Sequence, residues 1–135
     1  MTNPYTADDF VRMVSVEFPA TAYPALAEDL RDFDGLLHPQ VGALARLAEQ
    51  AKGTGDWGTY RRAMSLADTL WRNPSDDLLN ALNVSFLEHL DFHGPRGADA
   101  WELLSPALQQ GWRDMQAYLD ELARRGNEAS RGRKH

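Results

Sequence analysis

The chain has 135 residues, 43% of them hydrophobic, which suits one globular domain and argues against disorder. It has no cysteine, which excludes disulfides, a thiolate nucleophile and a cysteine-based zinc site. Its formal net charge of -6 disfavours nucleic acid and anionic membranes as partners. No signal peptide and no stretch near the roughly 20 apolar residues of a membrane span are recognisable, so we expect a cytoplasmic protein.

Apolar residues recur with helical spacing from near the start of the chain, and this pattern predicts two helices there. Thr6 and Asp9 have the spacing of a capping box at the start of the first helix, which Pro19 ends. Pro24 suits the first turn of the second helix, because its missing N–H would have no partner there. Gly35 is expected to stop this helix in a left-handed conformation.

The next two helices are predicted from their breakers and caps. Pro39 is expected to open the third helix, and the glycine-rich stretch 53–55 interrupts the chain after it. Asp56 then has the place of an N-cap for the fourth helix, whose apolar stripe is unusually large. That stripe consists of Trp57, Tyr60, Met64, Ala67 and Trp71.

Segment 75–90 is predicted to be the central helix. Ser75 can cap it, and two aspartates follow at the positive end of its dipole. Its apolar residues cover more than one face, which indicates that other helices surround it. They are Leu78, Leu79, Leu82, Val84, Phe86, Leu87 and Leu90.

A loop over 91–97 and a short sixth helix precede the last long helix, which starts with Ser105 as cap and a proline after it. We expect Gly126 to stop this helix. The predicted organisation is a single helical domain over 1–126 and a mobile basic tail over 127–135. With short loops between five or six helices, the fold class is all-α, a compact bundle or a short helical-hairpin array.

One cluster has residue types that could hold a metal. His89 and His93 are four residues apart, as on one helix face, and Glu88 and Asp91 could complete the ligand set. A small metal-dependent hydrolase is therefore an alternative. However, Leu90 stands where the metalloprotease motif requires glutamate, and polar residues at a helix end explain the cluster equally well. We expect no catalytic residue, no metal and no cofactor.

Acidic residues are the candidate partner-binding residues. Asp32 and Asp34 lie at the end of the second helix, where acidic charge opposes the helix dipole, and this favours a partner that neutralises them. Asp76 and Asp77, and Asp91 after the central helix, extend the acidic surface. A solvated face is the simpler explanation of the same residues.

Two asparagines in the central helix leave a further alternative open. Asn80 and Asn83 either fix the helix register, lie on an exposed polar strip, or line a groove. In the last case the protein would be a ligand-binding or oligomeric regulatory bundle.

The stretch from Asp76 to Leu90, DDLLNALNVSFLEHL, and especially its core NVSFLE, resembles a helix of small uncharacterised bacterial all-helical proteins, some of them similar to immunity proteins. The resemblance implies no catalytic residues. We therefore expect a non-enzymatic protein-binding module of the bacterial cytosol, in its most concrete form an immunity protein that neutralises a basic toxin domain. The expected partner is a protein with a basic surface, not nucleic acid or a membrane, and self-association is left open.

Overall fold

The structure, a computed structural model, describes residues 3–132. Within these residues the chain forms helices and no strand, apart from one isolated bridge between Tyr5 and Pro74. The predicted all-α fold is confirmed. The seven α-helices are Ala7–Glu17 (α1), Pro24–Asp32 (α2), Leu37–Thr54 (α3), Trp57–Trp71 (α4), Asp76–Ala81 (α5), Gly97–Glu102 (α6) and Pro106–Gly132 (α7).

Most helix starts are fixed by the side-chain caps that the sequence predicts. The hydroxyl of Thr6 accepts the N–H of Asp9 at 3.2 Å, and the carboxylate of Asp9 accepts the N–H of Thr6 at 2.9 Å. This reciprocal pair satisfies two donors that the first helical turn leaves free. Side chains also cap α4, α5 and α7 as predicted, namely Asp56, Ser75 and Ser105.

The third helix is longer than predicted at both ends. It begins at Leu37, so Pro39 falls within its first turn, where a missing N–H leaves no helical hydrogen bond unmade. It continues to Thr54 and ends because Gly55 adopts a left-handed conformation with φ of 76°.

The prediction that Gly126 ends the last helix is wrong. The α7 helix passes through this glycine and continues to Gly132. Helical glycine is unfavourable by about 1 kcal/mol relative to alanine, but ion pairs of Arg124 with Glu121 and Glu128 bridge the turns on both sides of it. Residues 133–135 of the predicted tail lie outside the described residues.

Segment 75–90 is central but is not one α-helix. After α5 the chain forms a π-helix over Leu82–Phe86 and a 3₁₀ turn over Leu87–His89, together called here the π segment. It packs against α3 and α7, and α5 packs against α1 and α3. The expectation that neighbours cover it on all sides is wrong, because Val84 is 45% exposed.

The core lies between the α3–α4 pair, α1 and the central segment. Tyr60, in the first turn of α4, is completely buried, and its hydroxyl donates to the carbonyl of Ala100 at 3.3 Å. Burial raises the pKa of this phenol, with a smaller contribution from the negative charge of Glu49. Across the described residues, no helix has both the length and the apolar character that crossing a membrane requires.

Candidate functional site

The five predicted acidic residues are all exposed and lie on three segments of the chain. Asp32 and Asp34 lie at the end of α2, while Asp76 and Asp77 lie in the first turn of α5. Asp91 follows the π segment, fifteen residues after Asp76.

Asp91 is held by its own loop. Its carboxylate accepts the main-chain N–H of His93 at 2.9 Å and lies 2.7 Å from that residue's Nδ1. These hydrogen bonds lower the pKa of Asp91. The main chain of Asp91 donates to Glu49 at 3.1 Å, and its carbonyl accepts from the ammonium of Lys52, which also pairs with Glu49. The structure thus gives Asp91 a role in fastening the loop to α3.

The four residues of the predicted metal cluster diverge. Glu88 lines a groove beside α7, whereas His89 lines a depression against α3. Leu90 leaves the helix in an extended conformation, and Asp91 and His93 pair with each other. In residues 3–132, no three histidine, aspartate or glutamate side chains are grouped as metal ligands. The geometry therefore gives no support to the metal-dependent hydrolase.

A serine–histidine contact that the sequence interpretation missed joins α3 to the π segment. The Nδ1 of His38 lies 2.9 Å from the hydroxyl of Ser85, and its Nε2 lies 3.5 Å from the amide nitrogen of Asn80. Either the imidazole or the hydroxyl can be the donor, depending on the tautomer of His38. Because Ser85 is only 7% exposed, a substrate has little access to it. The contact is suited to holding the π segment rather than to nucleophilic catalysis.

A groove runs between the central segment and α7, and we call it the α7 groove. It has a volume of about 400 Å³. Asn80 and Asn83 lie in it, as the alternative prediction of an asparagine-lined groove proposed. Its lining residues are Asn80, Asn83, Val84 and Glu88 on one wall, and Asp114, Met115, Tyr118 and Leu119 on the other.

The α7 groove leaves large apolar groups in water. Val84 is 45% exposed, and Tyr118 across the groove is 63% exposed. Leu122, one turn beyond Tyr118 on α7, is 44% exposed and continues the apolar stripe. Contiguous apolar surface with a polar rim is characteristic of protein interaction sites.

The charges around the α7 groove are acidic. Glu88 and Asp114 belong to its lining, and none of the lysine and arginine side chains that the structure describes does. Asp76 and Asp77 lie one turn before Asn80 on the same side of α5. Negative charge therefore lies on both walls and at one end.

Arg124 and Arg125, farther along α7, are paired with acidic residues of the same helix. The carboxylate of Glu121 accepts from Arg125 at 3.0 Å and also pairs with Arg124. These guanidinium groups also lower the pKa of Glu121. The charges of Arg124 and Arg125 are therefore largely neutralised locally.

Only one wall of the α7 groove could be anticipated from the sequence. The sequence predicted candidate binding residues on the central segment, namely Asp76, Asp77, Asn80 and Asn83. Tyr118, on the other wall, was missed. The pairing of the two walls brings together residues that are 26 to 39 positions apart in the chain.

Comparisons with known proteins identify a family for this chain but indicate no activity. No curated protein and no solved structure is significantly similar to this chain. One family model matches residues 18–120, which include every residue that lines the α7 groove. The chain therefore belongs to the family described as "Domain of unknown function (DUF7674)".

Proposed function

We propose that this chain is a non-enzymatic protein-binding module and that the α7 groove is its binding surface. The observation that carries the proposal is that Val84 and Tyr118 are exposed in a groove whose charged lining residues, among those the structure describes, are Glu88 and Asp114. Covering exposed apolar groups stabilises a complex by about 25 cal/mol per Å² of apolar surface that is buried. The acidic rim selects a partner with a basic surface and accelerates the encounter.

The acidic residues at the end of α2 have a secondary part in this proposal. Asp32 and Asp34 are exposed and carry no ion pair among the described residues. They add to the long-range field that attracts a basic partner, without contacting it. The carboxylate of Asp91 is already hydrogen-bonded to the main chain and the imidazole of His93, so we assign Asp91 no contact with the partner.

The most concrete form of the proposal is an immunity protein of the bacterial cytosol. Such a protein would cover the basic active surface of a toxin and so prevent substrate from reaching it. A toxin that acts on nucleic acid needs a basic active surface to bind its anionic substrate. The acidic α7 groove is complementary to such a surface, which supports this form of the proposal.

Site-specific photo-crosslinking in the native host cell tests the proposal. A photoreactive amino acid is placed at Tyr118 in the α7 groove or, as the control, at Val16, which is 75% exposed on α1. The partner captured at 118 is then purified and titrated with the wild-type chain and with the Asp77→Lys/Asp114→Lys variant. We expect a basic protein at 118 and not at 16, with roughly tenfold weaker binding by the variant.

Two results would overturn the proposal. One is a failure of position 118 to capture more protein than position 16. The other is an affinity for the captured protein that the double charge reversal leaves unchanged. Circular dichroism of the variant ensures that a loss of binding does not reflect a loss of folding.

A further inference from the structure

We infer that the α7 groove binds a single amphipathic helix of the partner, with one apolar face and basic residues on both sides of that face. This inference rests on the proposed function and specifies the shape and charge pattern of the bound element. It follows from the backbone of the groove walls, from the spacing of the exposed residues and from the position of the charges.

Both walls of the groove are helical, so their backbone groups are already paired. The N–H and C=O groups of α7 and of the central segment bond within their own helices. An extended segment of a partner would find no sheet edge to join, and its own backbone groups would lose water without gaining partners. A helix carries its backbone hydrogen bonds with it and needs only side-chain contacts.

The exposed apolar residues lie on both walls of the groove. On α7, Tyr118 and Leu122 are separated by four residues, which is one helical turn, and Val84 lies on the facing wall. Two neighbouring helices with apolar residues along their shared groove lack the third helix that would bury them. From Asp114 to Leu122 the groove extends about 12 Å, enough for roughly two turns of a bound helix.

The charge pattern determines which residues flank the apolar face. Glu88 lies on one wall and Asp114 on the other, while Asp77 lies at the start of α5. A helix in the groove therefore meets carboxylates on both of its sides. Lysine or arginine on each edge of its apolar face is complementary to both walls, and acidic residues there would be repelled.

A synthetic probe tests the inference directly. The probe is a peptide of about 18 residues with leucine at every third or fourth position and lysine between, a length at which helices become stable. Its control has the same composition in an order that spreads the leucines around the helix. Affinity is measured by isothermal titration calorimetry, and helix formation on binding is measured by circular dichroism.

The expected result has three parts. The amphipathic peptide binds the wild-type chain and gains helix content on binding. Its affinity falls roughly tenfold for Val84→Glu and for Tyr118→Ala, and is unchanged for the control variant Val16→Glu. The peptide with dispersed leucines binds at least tenfold more weakly than the amphipathic one. A loss of this size is expected when one well-packed apolar side chain is removed from an interface.

Different failures overturn different claims. Equal binding of the two peptides, or binding without a gain of helix content, overturns the helical mode but leaves the proposed protein-binding function standing. Equal affinity for wild type and for both groove variants excludes the α7 groove as the peptide's site. The proposed function itself fails if position 118 captures no more protein than position 16, or if the affinity for the captured partner is unchanged by Asp77→Lys/Asp114→Lys.

Discussion

The imidazole of His38 and the hydroxyl of Ser85 meet at 2.9 Å and join the first turn of α3 to the π segment. The two residues are far apart in the chain, and Ser85 is buried where the helical hydrogen-bond pattern changes. A π-helix is an uncommon conformation that needs support from its surroundings. The His38 contact gives that support on the α3 side.

Removing this hydroxyl is expected to destabilise the fold. Ser85→Ala deletes a buried hydrogen bond and should lower the free energy of unfolding by about 1 kcal/mol, measured by urea denaturation. The matched control is Ser15→Ala, an exposed helical serine on α1, which should change stability by less than about 0.5 kcal/mol. Equal effects of the two substitutions would show that the His38 contact contributes nothing.

Two glycines of α7 should respond to alanine with opposite signs. A Cβ at Gly111 would lie 2.6 Å from the indole of Trp71, so Gly111→Ala forces the α4–α7 contact apart. We expect a net loss of about 1–2 kcal/mol, because overpacking exceeds the gain in helix propensity. Gly126 has open space around it, and Gly126→Ala should stabilise the chain by up to about 1 kcal/mol. Thermal unfolding of both variants measures the difference, and a shift in the same direction would contradict it.

Those two glycines also show what sequence reasoning could and could not reach. Caps such as Ser75 and Asp56 were predicted correctly, because a cap depends on residues only two or three positions apart. Glycine is a less certain signal, since it permits a left-handed stop without requiring one. At Gly55 the chain takes that conformation, whereas at Gly126 it does not.

The features that sequence reasoning missed all depend on distant contacts. The π segment reads as ordinary helix, because its altered hydrogen bonding leaves no mark in the apolar pattern. Glu88 and His89 are neighbours in sequence, yet they lie in a groove against α7 and a depression against α3. The exposed position of Tyr118 follows from how α7 crosses the central segment, which no local pattern specifies.

The buried ammonium of Lys52 should control the mobility of the loop after the π segment. Lys52 is only 9% exposed, bonds to the carbonyl of Asp91 and pairs with Glu49. Lys52→Met keeps the length of the side chain but leaves that carbonyl without its donor, a loss of about 1–3 kcal/mol. Hydrogen exchange should show faster exchange of the Asp91 amide, which donates to Glu49. Unchanged protection of this amide would contradict the assigned role of Lys52.

The fold should become less stable in acid, because the capping carboxylates of Asp9 and Asp56 are then protonated. Hydrogen bonds to Thr59 lower the pKa of Asp56, and the main-chain N–H of Thr6 lowers that of Asp9, both from an ordinary value of 3.8. A carboxylate with a lowered folded-state pKa stabilises the fold above its ordinary pKa. That contribution is lost as the pH falls through the lowered value.

The variant Asp56→Asn isolates this effect for one cap. Asparagine still accepts the N–H of Thr59 but does not titrate. Urea midpoints measured from pH 7 down to pH 2 should therefore fall less steeply below about pH 4 in the variant than in wild type. Parallel curves for the two chains would show that Asp56 does not contribute to the acid sensitivity.

The two acidic surfaces should affect binding to the cross-linked partner in different kinetic steps. In the α7 groove, Asp77→Lys/Asp114→Lys removes charges that contact the partner, so we expect mainly faster dissociation, by roughly tenfold. At the end of α2, Asp32→Lys/Asp34→Lys changes only the long-range field and should slow association by roughly two- to threefold at low salt. Because screening at physiological ionic strength acts over about 8 Å, the second effect should disappear as salt is added while the first persists. Surface plasmon resonance at two salt concentrations separates them, and a dissociation rate that responds to Asp32 and Asp34 would place the partner on α2 instead.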